Sequence, residues 1–130
     1  MSIDVHDIKV LQAMRRYCTN VERMVARLGS YENFIANEDD PAALTMYLTQ
    51  IGELAKVQLS AQVKSQCKTV PWKEMYGLRN RIVHGYGELE FRMIWHTAVT
   101  DVSVLASEID SLLAASKEGK KVGVKKLNLE

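Results

Sequence analysis

"DVHDIKVLQAMRRYCTNVERMVARLGS", residues 4–30, decides what class of fold this chain can adopt. Val5, Ile8, Leu11, Met14, Met24, Val25 and Leu28 recur mostly at steps of three and four, and Tyr17 and Val21 continue the stripe. Steps of that size return to one face of a helix, whereas on a strand they would scatter over both faces. The spacing predicts a helix from about Asp4 to Leu28, closed by Gly29 and Ser30.

The same period continues downstream. "SYENFIANEDD" (30–40) reads as a polar connection whose aromatics, Tyr31 and Phe34, tuck against the core. Asp40-Pro41 reads as a helix start, an acidic N-cap followed by proline at the first helical position. Leu44, Leu48, Ile51, Leu54, Ala55 and Leu59 then line a second helix expected to end near Val63. Pro71 opens a shorter third helix through Trp72, Met75, Leu78, Ile82 and Val83, with Gly85 placed as its C-cap. A fourth begins near 88–91 and carries Ile94, Trp95, Ala98, Val99, Val102, Leu105, Ile109, Leu112 and Leu113. There is no Asn-Gly or Asp-Gly hairpin turn and no sustained alternation. The expectation is all-α: an up-and-down four-helix bundle with a short extra helical segment, occupying residues 1–115. From Ser116 the composition shifts to "SKEGKKVGVKKLNLE", with five lysines and two glycines. Residues 116–130 therefore read as a lysine-rich, solvated and mobile tail.

The totals are those of an ordinary globular protein: 130 residues, 47% hydrophobic, 25% charged, net charge +1. That balance excludes a global basic field, so anion binding has to come from a local cluster. Cys18 and Cys67 show no CxxC or metal spacing and read as core thiols of a reducing compartment. The start, "MSIDVHDIKV", has no apolar signal core, and no window reaches the roughly 18 apolar residues needed to span a bilayer. The expectation is a soluble cytoplasmic protein without membrane contact. Trp72, Trp95 and the methionines read as core or interface residues.

The chemically dense stretch is "LRNRIVHGYG", residues 78–87, at the end of the third helix. Asn80 and His84 are four apart and share a face, so the amide can fix the imidazole tautomer. Arg79 lies five residues from His84, about 140° round an ideal helix. Its side chain must bend back to meet that histidine, or meet one from a second copy. Tyr86 follows just past Gly85. A guanidinium for phosphate oxygens, a group titrating near neutrality, an amide and a phenol together suit metal-free RNA cleavage. The 2′-OH attacks the adjacent phosphorus, giving a 2′,3′-cyclic phosphate, and DNA, which lacks that hydroxyl, survives. The alternative is a solvated helix end, where a histidine simply benefits from the helix dipole. Arg81 and Lys73 are candidate RNA-phosphate contacts. His6 and His96 read as structural or solvent-facing, although a pocket at a subunit interface can recruit His96. HExxH, paired Cys/His spacings, a Gly-rich phosphate loop and GxSxG are all missing, so no metal site and no cofactor are expected.

Arg79-Asn80-x-x-x-His84-x-Tyr86 resembles the RN-x3-H-x-Y motif of HEPN-superfamily proteins, specifically the HepT-like toxins of prokaryotic toxin–antitoxin pairs. "IGELAKVQLS" (51–60) is similar to that family's IGE-A-K-x-LS segment. "VPWKEMYGLRNRIVHGY" (70–86) resembles its Pro-Trp…Gly-Leu-Arg-Asn…His-x-Tyr core, and "IWHTAVTDV" (94–102) resembles the helix that follows. The likeness spans roughly residues 4–113. It implies a homodimeric all-α bundle whose paired Arg and His motifs face a cleft at the two-fold axis, relieving the angular mismatch between Arg79 and His84. It implies a metal-independent endoribonuclease cutting RNA (tRNA or mRNA), with Arg79, Asn80 and His84 catalytic. It also implies a neighbouring minimal nucleotidyltransferase antitoxin, MntA-like, that transfers AMP from ATP onto Tyr86, and a pairing of Glu53 with a motif arginine. The competing readings are a non-catalytic HEPN subunit that partners a nucleotidyltransferase, and a purely structural dimerising bundle.

Overall fold

The computed structural model describes residues 3–77 and 88–127, giving only the backbone for 88–90 and 117–127. Every regular element among them is helical. Helix α1 is Val5–Leu28, α2 is Tyr31–Phe34 and α3 is Asp39–Glu53. A π-helical turn, Leu54–Gln58, leads to α4, Ala61–Gln66. Residues 72–77 form α5, and α6 runs from Glu88 to Leu127. The all-α expectation holds.

Helix α1 is the spine. Asp4 caps its start by accepting from the His6 amide at 3.2 Å. Gly29 ends it in the left-handed region at φ 76°, donating to the Val25 carbonyl at 2.9 Å. The Asn33 side-chain amide then takes the Leu28 carbonyl, at 2.7 Å, an acceptor the last turn would leave unpaired. Leu11, Met14, Cys18 and Val21 are buried on its inner face. The stripe runs through Cys18, not Tyr17, which is only half-buried, and Val5 at its head is 55% exposed. Both differences follow from the face α1 turns to α3 and α6, its two main neighbours. Leu44, Leu48 and Ile51 of α3 and Ile94, Val102, Leu105 and Ile109 of α6 complete one core. Full burial of each such side chain stabilises by about 1.5–3 kcal/mol.

The expected aromatic plug is present. Ser30 caps α2 by accepting from the Asn33 amide at 3.1 Å. Phe34 is fully buried, stacked on Trp95 with ring centroids 5.2 Å apart and edge-on to Phe91 at 6.4 Å. The Arg92 guanidinium lies 4.5 Å from the Tyr31 ring centroid.

Two expectations need correction. Helix α3 starts at Asp39, ahead of the expected Asp40 cap, and its first turn is closed from outside: Asn37 accepts from the Asp40 amide at 2.9 Å, while Arg27 meets the Asp40 carboxylate at 2.8 Å. The second helix does not run unbroken to Val63. The Leu59 amide donates to Leu54, five residues back, at 2.9 Å, and Leu59 then turns to extended backbone. The chain restarts at α4 with Ser60 as N-cap, accepting from Val63. Past residue 115 the backbone of α6 continues to Leu127. Alanine, lysine and glutamate are strong helix formers and carry the helix past two glycines.

Candidate active site

The described residues build the frame that enters and leaves the Arg-Asn…His-x-Tyr stretch. Its base is a buried carboxylate. Asp7, on the first turn of α1, is 5% exposed and accepts from both the Ser60 amide (2.9 Å) and the Ser60 hydroxyl (2.7 Å). Ser60 thus caps α4 while Asp7 holds Ser60, which fixes the end of "IGELAKVQLS" against α1. Beside it the His6 Nε2 lies 3.2 Å from the Gln58 carbonyl, with His6 exposed. Glu53, in the same segment, is half-buried and not without a partner.

Pro71-Trp72 forms the next joint. The Trp72 indole N–H is shared between the Lys64 and Cys67 carbonyls, each at 3.2 Å, so the ring closes the C-terminal end of α4 as it opens α5. Tyr76 stacks against Trp72 with centroids 6.5 Å apart, and the Lys64 ammonium lies 5.5 Å from the Tyr76 ring. Buried Met75 ties α5 to the core, and Thr69 donates to Glu108 of α6 at 2.5 Å. Proline, tryptophan and an apolar residue three positions on therefore set the direction in which the chain reaches residue 78.

Arg79, Asn80, Arg81, His84 and Tyr86 all lie outside the described residues, as do Leu78, Ile82, Val83 and Gly85 of the expected third helix. Of the sequence-derived site, Lys73 is placed: it is exposed on the first turn of α5. His96 is placed as well, and not as an isolated surface residue. It lines a cleft of about 460 Å³ between α5 and α6, together with Glu74, Gly77, Met93, Thr97 and Asp101. Gly77 is two residues from Arg79, so the cleft adjoins the motif along the chain. Thr97 is 6% exposed, and its hydroxyl makes no hydrogen bond among the described residues. The Asp101 carboxylate accepts from Thr100 at 3.2 Å.

Sequence reasoning passed over Glu74, Thr97 and Asp101. The signal was available for Thr97 alone. It sits one turn from Ile94 on the buried side of α6, where a hydroxyl replaces an expected apolar group. Among the described residues, no three His, Cys, Asp or Glu side chains are grouped to hold a metal ion. Both cysteines are free and buried. Burial pushes the Cys18 thiol up to about 12 and the Cys67 thiol up to about 11, so neither offers a thiolate nucleophile near neutral pH. No described helix is long and apolar enough to cross a membrane.

Known proteins speak to the same frame. A protein of Caldanaerobacter subterraneus subsp. tengcongensis with a provisional RNase name is 30% identical over 88 residues, 68% of this chain and 78% of its own. A Methanocaldococcus jannaschii protein with a similar provisional name is 31% identical over 80 residues, 62% of this chain and 72% of its own. A Thermococcus cleftensis protein named probable ribonuclease HepT is 27% identical over 82 residues, 63% of this chain and 74% of its own. No solved structure matches the chain. The family model described as "Ribonuclease HepT-like" matches residues 14–112, a span containing α3 to α5, the motif stretch and most of α6. This chain belongs to the ribonuclease HepT-like family.

Proposed function

We propose that the protein is a metal-independent endoribonuclease toxin of a prokaryotic toxin–antitoxin pair, cutting RNA with Arg79, Asn80 and His84 at a dimer cleft. The observation that carries this reading is the family match over residues 14–112, because it brackets an intact Arg79-Asn80-x-x-x-His84-x-Tyr86. Relatives named as RNases support the same activity.

The chemistry needs only side chains of this motif. His84 takes the proton of the ribose 2′-OH or delivers one to the departing 5′-oxygen. As the new O2′–P bond forms and the P–O5′ bond breaks, charge collects on the non-bridging oxygens, where Arg79 stabilises it. Asn80, one turn before His84, holds the imidazole in a single tautomer. The products are a 2′,3′-cyclic phosphate and a 5′-hydroxyl. Arg81 and Lys73 add positive charge for the RNA backbone. A cognate MntA-like nucleotidyltransferase silences the enzyme by moving AMP onto Tyr86, placing bulk and negative charge where the RNA phosphate must sit.

The test uses unmodified protein, with intact mass showing Tyr86 free, and His84→Ala, each incubated with total RNA in EDTA. The wild type is expected to yield cyclic-phosphate ends and His84→Ala to lose at least about a hundred-fold in rate. Equal cutting by both, or none by either, overturns the reading. Tyr86→Phe is expected to keep cutting in the presence of the nucleotidyltransferase and ATP, while the wild type stops.

A further inference from the structure

The cleft between α5 and α6 has a chemical character unlike that of a phosphate site. Glu74 and Asp101 line it, and both repel a phosphodiester. Thr97, a residue more than nine-tenths buried, lines the cleft as well, and its hydroxyl has no hydrogen-bond partner among the described residues, so the wall of the cleft offers a hydrogen bond that nothing described takes up. Its volume of about 460 Å³ falls within the range of small-molecule pockets, about 300–1,000 Å³. It begins at Gly77, two residues before the arginine assigned to the scissile phosphate. Met93 gives one apolar wall and His96 stands exposed at the rim.

A neutral planar group with several N–H donors, covalently attached to the phosphate chain, fits all of these conditions. We propose that this cleft seats one unpaired base of the RNA substrate and selects bases carrying an exocyclic amino group. The Glu74 and Asp101 carboxylates and the Thr97 hydroxyl meet the donor edge, and the His96 imidazole lies against the base face. Guanine, adenine and cytosine each offer an amino group. Uracil offers a single N–H between two carbonyl oxygens, which the carboxylates repel. The inference rests on the ribonuclease reading and adds a specificity pocket to it.

Sequencing the ends produced from a random-sequence RNA reads the bias directly. The wild type is expected to disfavour uridine at one nucleotide flanking the cut by roughly ten- to a hundred-fold. Asp101→Asn and Glu74→Gln, which turn an acceptor into a mixed donor and acceptor, are expected to admit uridine at that position. Thr97→Val, which keeps the volume and removes the hydroxyl, is expected to flatten the bias while the ends remain cyclic phosphates. Circular dichroism and Tm check that each variant is folded. Cutting without base bias by the wild type, or an unchanged bias in all three folded variants, overturns the pocket and leaves the ribonuclease standing. A change in native mass without a change in bias assigns the cleft to a second copy and also overturns it. A wild type that does not cut overturns the ribonuclease reading, and the pocket with it.

Discussion

A hydroxyl without a hydrogen bond adds little to a folded protein, and among the described residues Thr97, 6% exposed, carries such a group. Thr97→Val is therefore expected to leave Tm unchanged or raise it, whereas losing a structural hydrogen bond would cost about 1–3 kcal/mol. Thermal unfolding of the free protein reads the difference, and a fall of several degrees would make Thr97 a structural residue. Asp7 is the opposite case. It serves two donors of one residue at 2.9 and 2.7 Å from a buried position, so Asp7→Ala is expected to cost about 2–3 kcal/mol in urea unfolding. Ser60→Ala is expected to cost about 1 kcal/mol, and the double variant less than the sum, since both remove the same contact. Neither residue could be paired from the sequence. In the chain 53 positions separate them, and no local spacing links them.

Among elements, α1 and α6 are tied at the surface by Arg15, which donates to both oxygens of Asp110 at 2.8 and 3.3 Å and to Glu22 at 3.0 Å. The Asp110 hydrogen bond, more than Glu22, pushes the guanidinium above its ordinary value, so the charge persists at every accessible pH. Because Asp110 is well exposed, Asp110→Asn is expected to cost under about 1 kcal/mol, a difference that shrinks in high salt. The α1–α3 junction behaves similarly at low pH. Asn37 first and Arg27 second hold the Asp40 carboxyl below its ordinary 3.8. Its contribution is present above that pH and fades as pH falls further. Acid titration of the folded fraction with and without Asp40→Asn checks the sign. The four-helix pattern, the aromatic plug and the start of α6 were legible because each is a local period or a local cap. The π-turn was not: Leu54, Ala55 and Leu59 keep the same apolar stripe whether the backbone closes to the fourth or the fifth residue.

Over the whole molecule, one core joins α1, α3 and α6 to the short helices, and its centre holds Phe34 from an element of four residues. Phe34→Ala is expected to cost about 3–5 kcal/mol, as much as a truncation in a long helix, because it removes contacts to Tyr31, Phe91 and Trp95 together. The buried thiols of Cys18 and Cys67 report the same cooperativity: both are expected to resist iodoacetamide at pH 8 in the native protein and to react together on unfolding. The family was legible from motifs in order, but the cleft beside them was not. Its lining comes from two helices that the sequence separates by the motif itself, and only folding brings Glu74 to Thr97 and Asp101. The π-turn also fixes a rotation. Leu54–Gln58 closes its hydrogen bond to the fifth residue where a regular helix closes to the fourth, so it holds one residue more than an α-helical turn. Deleting one residue there would let the helix close regularly and swing everything beyond it by about 100°. Ser60 would leave Asp7, and the carbonyls of Lys64 and Cys67 would leave Trp72. The loss of one residue in this stretch would therefore misdirect the path into the motif as surely as a mutation within it.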